Sequence, residues 1–162
     1  MTEVMERGQQ WLEQILQLAQ IPSSVKAEKF EETGEESVNY WLTIDESKLT
    51  EYQIEILTGE DGIVLDSIQY LANSILNLNQ SPEEQASYTI ELNGYRLKRQ
   101  EELKAMAESV AKIVRETGQE VEMKYLSSAE RRQVHTFLKD YFDLETYSRG
   151  QEPDRRLVVK LR

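Results

Sequence analysis

The spacing of apolar and polar positions along the chain predicts a mixed series of helices and strands. In the first half, the predicted elements are helices over 3–20 and 63–78 and strands over 25–30, 37–44 and 87–92. The acidic run over 31–36 contains Gly34 and predicts a hairpin turn between the first two strands. Residues 52–57 form a short segment that leads into a glycine loop, where we expect a tight strand-to-helix crossing.

The second half continues the pattern of alternating helices and strands. Its predicted elements are a long helix over 95–117, a strand over 120–125, a helix over 128–141 and a closing hairpin of strands 145–148 and 155–161. Gly118 is a suitable C-terminal cap for the long helix. Ser127 and Glu130 have the S-x-x-E spacing of a capping box at the start of the next helix.

The first candidate motif is the glycine loop Gly59-Glu60-Asp61-Gly62. Its two glycines have the spacing of a loop that approaches a phosphate backbone, but both positions between them are acidic. An exposed unit charge about 5 Å from a phosphate costs roughly 0.8 kcal/mol in a water-like dielectric. We therefore expect this loop to shape the fold more than it holds phosphate.

The second candidate motif lies on the helix over 128–141. Arg131, His135 and Lys139 are four residues apart, so they form one row beside the apolar stripe, and Arg132 lies further round toward solvent. Three donor-rich side chains in a row suit a phosphate backbone. Spacing alone favours a plainer interpretation, in which these are ordinary flank residues of an amphipathic helix.

The closing hairpin adds further basic and aromatic side chains. Period-two alternation places Leu157, Val159 and Leu161 on the core side of the last strand and Arg156, Lys160 and Arg162 on the other side. If the sheet packs on the helix, we expect the basic groups of both elements to converge on one open surface, which Arg155 extends. Arginine binds two phosphate oxygens at once, and Tyr147 and His135 are suited to stack on unpaired bases.

Composition narrows the chemistry that the chain can perform. No apolar run approaches the roughly 18 residues of a membrane span, and the acidic N-terminus is unlike a secretory signal, so we expect a cytoplasmic protein without membrane insertion. There is no cysteine and a single histidine, His135, which excludes thiolate chemistry and any site that needs two histidines. We therefore predict no catalytic residue, no metal site and no cofactor.

Charge is distributed unevenly between the two halves. Residues 1–90 hold 4 basic and 17 acidic side chains, a net charge of −13, whereas residues 91–162 hold 15 basic and 13 acidic side chains, a net charge of +2. Phosphate binding needs locally concentrated lysine and arginine. The second half is therefore where a nucleic-acid surface is expected.

The order of these motifs resembles the bacterial Jag (SpoIIIJ-associated) family, in which a KH domain precedes a small domain named for its Arg-x-x-x-His motif. The resemblance rests on 57–62 with the helix after it, on 92–103, and on 130–135 followed by 145–150 and 154–159. It implies an α+β protein in which residues 1–93 form a KH-like α/β sandwich. Residues 94–162 would form a small α+β domain with a helix packed on a short β-sheet.

The resemblance further implies a non-catalytic protein that binds single-stranded RNA and regulates RNA, cell growth or cell division. It also implies a small KH-only partner protein. Because the acidic loop is a weak phosphate site, we expect the first domain to form a homodimer or to dock on another protein instead. Family members usually carry a basic residue between the loop glycines, and this chain does not. The nucleic-acid-binding residues carried over or inferred are Arg131, Arg132, His135, Lys139, Tyr147, Arg155, Arg156 and Lys160. Two alternatives stay open, which are single-stranded DNA as the ligand and a protein-interaction adaptor whose acidic half recruits a basic partner.

Overall fold

The computed structural model describes residues 2–30 and 38–162, so the turn predicted over 31–36 lies outside the described residues. The helices are α1 (Glu3–Leu18), α2 (Glu51–Thr58), α3 (Ile63–Ile75), α4 (Tyr95–Thr117) and α5 (Ser128–Leu138). The strands are β1 (Val25–Phe30), β2 (Asn39–Ile44), β3 (Ser87–Leu92), β4 (Val121–Met123), β5 (Leu144–Arg149) and β6 (Arg156–Leu161). The predicted α+β class is confirmed, and the chain divides into two compact units, Met1–Arg96 and Leu97–Arg162.

The first unit is a three-stranded sheet with helices on one face. The strand order is β1-β2-β3, with β1 antiparallel to β2 and β2 parallel to β3. Side chains alternate between the two faces of a strand, and in β2 the buried members of the alternation are Tyr40, Leu42 and Ile44. They form one core with Leu12 and Leu16 of α1 and with apolar side chains of α2, α3 and β3.

The segment before the glycine loop is helical, which corrects the expected strand-to-helix crossing. Thr50 and Gln53 form a reciprocal capping box that starts α2, with the Gln53 backbone N–H donating to the Thr50 hydroxyl at 3.1 Å. Helix α2 ends at Thr58, and Gly59 follows it with a φ of 73°. The glycine loop therefore joins two helices, α2 and α3.

Helix α3 covers the exposed edge of β3 with a row of side-chain amides. Asn73 both accepts from the Tyr88 N–H and donates to the Tyr88 carbonyl, each at 2.8 Å. Gln69 accepts from the Ile90 N–H at 3.0 Å, and Asn77 bonds the chain just before β3 in the same way as Asn73. Unpaired edge strands invite association with other chains, and these amides satisfy this edge within the unit.

The second unit places α4 and α5 on one face of a three-stranded antiparallel sheet. The strand order is β4-β6-β5. The core contains Leu103, Ala107, Ala111 and Val114 from α4, Val134 and Leu138 from α5, and Met123, Leu144, Leu157 and Val159 from the strands. Helix α5 ends three residues earlier than predicted, and β4 is confined to Val121–Met123.

The alternation predicted for β6 is confirmed, although its last core-side residue is only partly covered. Leu157 and Val159 lie in the core, whereas Leu161, on the same side and opposite the buried Leu144, is 39% exposed at the end of the strand. Val158 is fully buried although it belongs to the opposite face. Its cross-strand neighbours Glu122 and Tyr147 flank it on that face. The far side of this sheet is therefore a packed surface of long side chains.

Candidate nucleic-acid interface

Helix α5 is fixed at its start by the predicted capping box. The Glu130 N–H donates to the Ser127 hydroxyl at 3.1 Å, and the Glu130 carboxylate accepts from the Ser127 N–H at 3.1 Å. The same carboxylate accepts from Nε of Arg99 on α4 at 2.7 Å. These contacts set the position of the first turn of α5, which carries Arg131 and Arg132.

Arg131 is buried, which corrects its placement in a row with His135 beside the apolar stripe. Its Nη1 donates to the Leu126 carbonyl at 2.6 Å and to the Arg155 carbonyl at 3.3 Å. Its Nη2 donates to Oε1 of Glu152. Arginine is rarely buried unless it is paired in this way, so the guanidinium helps to hold together the chain before α5 and the turn before β6.

His135 lies on the exposed side of α5, as predicted. Its Nδ1 is hydrogen-bonded to the hydroxyl of Thr146 on β5, which fixes the orientation of the ring. Thr146 is opposite Val159 in the sheet, so it lies on the face that carries α5. The contact leaves Nε2 as the ring nitrogen that is available to a ligand.

An open pocket of about 460 Å³ lies between α5, β5 and the turn before β6. The predicted residues that line it are Arg131, Arg132, His135, Tyr147 and Arg155. Arg132 and Arg155 are both exposed there. The pocket also contains Ser128, Thr146, Ser148, Glu152 and Leu157, none of which the sequence had singled out as a ligand contact. Of these, Thr146 was accessible to prediction, because alternation along β5 places it on the side of α5.

Arg156 and Lys160 do not join this pocket, which corrects the expected convergence of basic groups on one surface. They alternate with Leu157 and Val159, so they lie on the face of the sheet that is turned away from α5. Each is paired with an acid, Arg156 with Glu122 at 2.7 Å and Lys160 with Glu145 at 3.6 Å. Lys139, at the C-terminal cap of α5, is exposed and also lies outside the pocket lining.

The sheet face that carries Arg156, called the balanced face, holds basic and acidic side chains that offset each other's charge. Arg149 bonds both Glu120 and Glu122, at 3.0 and 2.9 Å. The hydrogen bond from Arg149 lowers the pKa of the Glu120 carboxyl, and the bonds from Arg156 and then Arg149 lower the pKa of the Glu122 carboxyl. Both carboxylates are therefore charged at neutral pH and offset the positive charge of the arginines. This face consequently attracts phosphates only weakly.

Tyr147 borders the pocket, but its ring lies on the balanced face, because its side chain alternates with those of Thr146 and Ser148. Lys160 and Arg149 stand over it, with the cations 5.4 and 5.5 Å from the ring centroid. Cations over an aromatic face are attracted by the ring quadrupole, and they compete with a base for the same ring. Stacking of Tyr147 on a nucleobase remains a prediction that requires these contacts to rearrange.

The glycine loop has the geometry of a packed turn. Gly62 has a φ of +77°, and a Cβ at this position would come 2.2 Å from the Tyr95 hydroxyl, which itself donates to the Asp61 carbonyl at 2.8 Å. Asp61 adopts a left-handed conformation with a φ of 52°, which aspartate tolerates better than most residues. The Glu60 and Asp61 side chains are exposed, so a phosphate at this loop would meet two carboxylates.

Residues 2–30 and 38–162 contain neither a candidate metal site nor a candidate membrane-spanning helix. Within that part of the chain, no group of three or more aspartate, glutamate or histidine side chains is arranged to hold a metal ion. Over the same ranges, no helix combines the length and the apolar character needed to cross a bilayer.

Comparison with known proteins gives one family match and several relatives. Residues 101–161 match the R-3-H domain family, named for the Arg-x-x-x-His motif. The RNA-binding protein KhpB of Clostridium symbiosum is 27% identical over 157 residues, which are 97% of this chain and 66% of that protein. KhpB of Bacillus subtilis (strain 168) is 32% identical over 126 residues, which are 73% of this chain and 60% of that protein.

A third relative is KhpB of Lactiplantibacillus plantarum, which is 31% identical over 107 residues, or 66% of this chain and 33% of that protein. The chain thus spans about two thirds or less of the length of the curated relatives that it matches. The segment that matches the Arg-x-x-x-His domain contains α5, β5 and β6, and with them the Arg131 and His135 pocket. The chain is therefore a Jag-type protein that contains an Arg-x-x-x-His domain.

Proposed function

We propose that this protein binds single-stranded RNA through the pocket between α5, β5 and the turn before β6, and that it acts as a regulator of RNA, cell growth or cell division. The observation that carries the proposal is the convergence of Arg131, Arg132, Arg155 and His135 on one open pocket. The relatives are named RNA-binding proteins, which supports RNA as the ligand. The proposal assigns binding and no catalytic step to this site.

The pocket favours a flexible single strand for a physical reason. Its cations are clustered on one small, open surface, and a single strand can bend its phosphates toward them and splay its bases outward. Ser128, Thr146 and Ser148 supply short hydroxyl groups beside the arginines. Hydroxyls both donate and accept hydrogen bonds, so they are suited to contact the ribose 2′-hydroxyl that distinguishes RNA from DNA.

Fluorescence anisotropy with a short single-stranded RNA and the matching DNA, over a salt series, tests the proposal. If the three arginines each neutralise one phosphate, log K should fall with log salt with a slope of about −2, from roughly 0.7 per phosphate for single strands. We expect the RNA to bind more tightly than the DNA. Absence of RNA binding at low salt would refute the proposed function, and equal affinity would make single-stranded nucleic acid in general the ligand.

A second candidate function, protein interaction by the first unit, is favoured by the exposed side of α3. Ile63, Tyr70, Leu71 and Ile75 are exposed apolar residues with helical spacing along this side, and the exposed Leu78 follows the end of the helix. An apolar row of this length is more than the scattered exposure that is normal for a protein surface. We propose that this row, called the α3 stripe, docks on a KH-only partner protein or on a second copy of the chain.

Analytical ultracentrifugation of the full chain tests self-association through the α3 stripe. We expect Tyr70→Glu to weaken a wild-type dimer about tenfold or more, because it places a charge at the centre of an apolar contact. Tyr52→Glu is the matched control, since Tyr52 on α2 is 71% exposed and Tyr70 is 72% exposed. Equal effects of the two substitutions would exclude the α3 stripe as the dimer contact, and a monomeric wild type would leave the partner protein as the only occupant to test.

A further inference from the structure

One terminal nitrogen of the Arg131 guanidinium, Nη2, is bonded to a side chain and not to the backbone. A guanidinium carries five N–H donors and no acceptor. Its Nη1 serves the carbonyls of Leu126 and Arg155, at 2.6 and 3.3 Å, and these two bonds hold the group in place. Its Nη2 donates to the carboxylate of Glu152. The nitrogen through which Arg131 would bind a ligand, Nη2, is thus already bonded to a carboxylate of the protein itself.

The two partners in this contact differ greatly in their freedom. The Arg131 side chain is 6% exposed, whereas that of Glu152 is 60% exposed. Glu152 lies in the turn between β5 and β6, outside both strands. It can therefore rotate into solvent without disturbing the sheet, while Arg131 stays in position through its backbone bonds.

A carboxylate and a phosphate make the same kind of contact with arginine. Both are anions whose oxygens accept paired N–H donors from the planar guanidinium. Glu152 is the one acidic side chain among the described residues that line the pocket, against three arginines. Its carboxylate thus occupies a position on Arg131 that a phosphate oxygen is chemically equipped to take.

We propose that Glu152 is an intramolecular competitor for the phosphate position on Arg131. In the protein without RNA, the Glu152 carboxylate accepts from Nη2 and offsets the charge of the buried guanidinium. When RNA binds, one of its phosphates displaces the Glu152 carboxylate, which turns out to solvent. The inference rests on the proposed RNA-binding function of the same pocket, and it makes Glu152 a residue that lowers affinity.

The test is the affinity of the full-length Glu152→Gln variant for a short single-stranded RNA, measured by fluorescence anisotropy. Glutamine keeps the length of the side chain and an oxygen that accepts from Nη2, and it removes the charge. We expect about fivefold tighter binding than wild type, the size that a partly exposed ion pair typically contributes. Glu152→Ala should change the affinity in the same direction, which guards against an effect peculiar to glutamine.

Glu116→Gln is the matched control for the change in net charge. Glu116 is also an exposed carboxylate paired with a cation, Lys112 at 3.9 Å, but it lies in the last turn of α4, outside the pocket lining. We expect the affinity of this variant for RNA to stay within about twofold of wild type, because an exposed charge outside the pocket is screened by salt. Wild-type binding with no gain in either Glu152 variant, or an equal gain in Glu116→Gln, would overturn this inference alone. Absence of RNA binding by wild type and variants alike would overturn the proposed function together with it.

Discussion

Replacing Arg132 and Arg155 together with glutamine is expected to weaken binding of a short single-stranded RNA about 100-fold. Both side chains are exposed in the pocket, and neither is used to hold the fold through its guanidinium in the way that Arg131 is. A hydrogen bond to a charged group contributes about 1.5 kcal/mol, so two lost contacts account for roughly two decades in Kd. The salt slope should become shallower by about 1.4, because two phosphates are no longer neutralised.

The control for this double variant is Lys104→Gln with Lys112→Gln. Both lysines are exposed on α4 outside the pocket lining, so the pair changes net charge by the same amount. We expect it to weaken RNA binding only slightly and with a loss that disappears as salt is raised. If the two pairs weakened binding equally, RNA would be held by the diffuse charge of the second unit and the pocket would have no special role.

Replacing Arg131 with alanine is expected to destabilise the second unit by about 3 kcal/mol. The substitution removes the partner of the buried Leu126 carbonyl and of the Arg155 carbonyl, and leaving buried acceptors unpaired costs about 1–3 kcal/mol each. It also empties the space of a large buried side chain between α5 and the turn before β6. Loss of RNA binding in this variant would therefore report on folding as much as on contact with phosphate.

Amide hydrogen exchange of the full chain measures this effect, because it reports local stability segment by segment. We expect faster exchange over residues 121–161 in Arg131→Ala and unchanged exchange in β2 and β3. Trp11 and Trp41, the two tryptophans of the chain, both lie in the first unit, so their fluorescence transition should not move. Arg132→Ala, at the neighbouring exposed position, should change stability by less than about 0.5 kcal/mol. Normal protection of α5 in Arg131→Ala would show that the buried bonds do not stabilise the unit.

The burial of Arg131 shows where spacing alone misleads. The predicted core stripe of α5 began at Val134, but Arg131 is three residues before Val134 and seven before Leu138, so it belongs to the same side of the helix. The spacing of four residues that it shares with His135 and Lys139 assigned it instead to a row beside the stripe. Only the contacts of Leu126, Arg155 and Glu152 show how this position accommodates a charge. His135, four residues further on, was placed correctly.

The prediction that the basic side chains of β6 and α5 converge on one surface was wrong. The alternation of side chains along β6 explains why. If Leu157 and Val159 face the helix, then Arg156 and Lys160 must face away from it. Spacing predicted the two faces of the strand correctly, and the error lay in bringing both faces to one surface. Arg155 escapes this constraint because it precedes β6 and belongs to the turn, so it does reach the pocket.

In the first unit, local sequence signals predicted most helices and strands. One helix and the tertiary contacts of α3 were not predicted. The helix α2 was missed, although Thr50 and Gln53 have the spacing of a capping box. The amide row of Gln69, Asn73 and Asn77 cannot be inferred from sequence, because its partners are backbone groups of β3 that only folding brings near. These bonds fix the side of α3 that faces the sheet and leave the α3 stripe exposed.

The central claim is that RNA is held by the pocket of the Arg-x-x-x-His domain and not by the acidic glycine loop. Amide chemical-shift mapping by NMR, on the isotope-labelled full chain titrated with a short single-stranded RNA, tests this claim directly. We predict the largest shifts at Ser128, Arg132, His135, Thr146 and Arg155, with little change at Gly59, Glu60, Asp61 and Gly62. Shifts concentrated in the glycine loop and the start of α3, with an unperturbed α5, would contradict it.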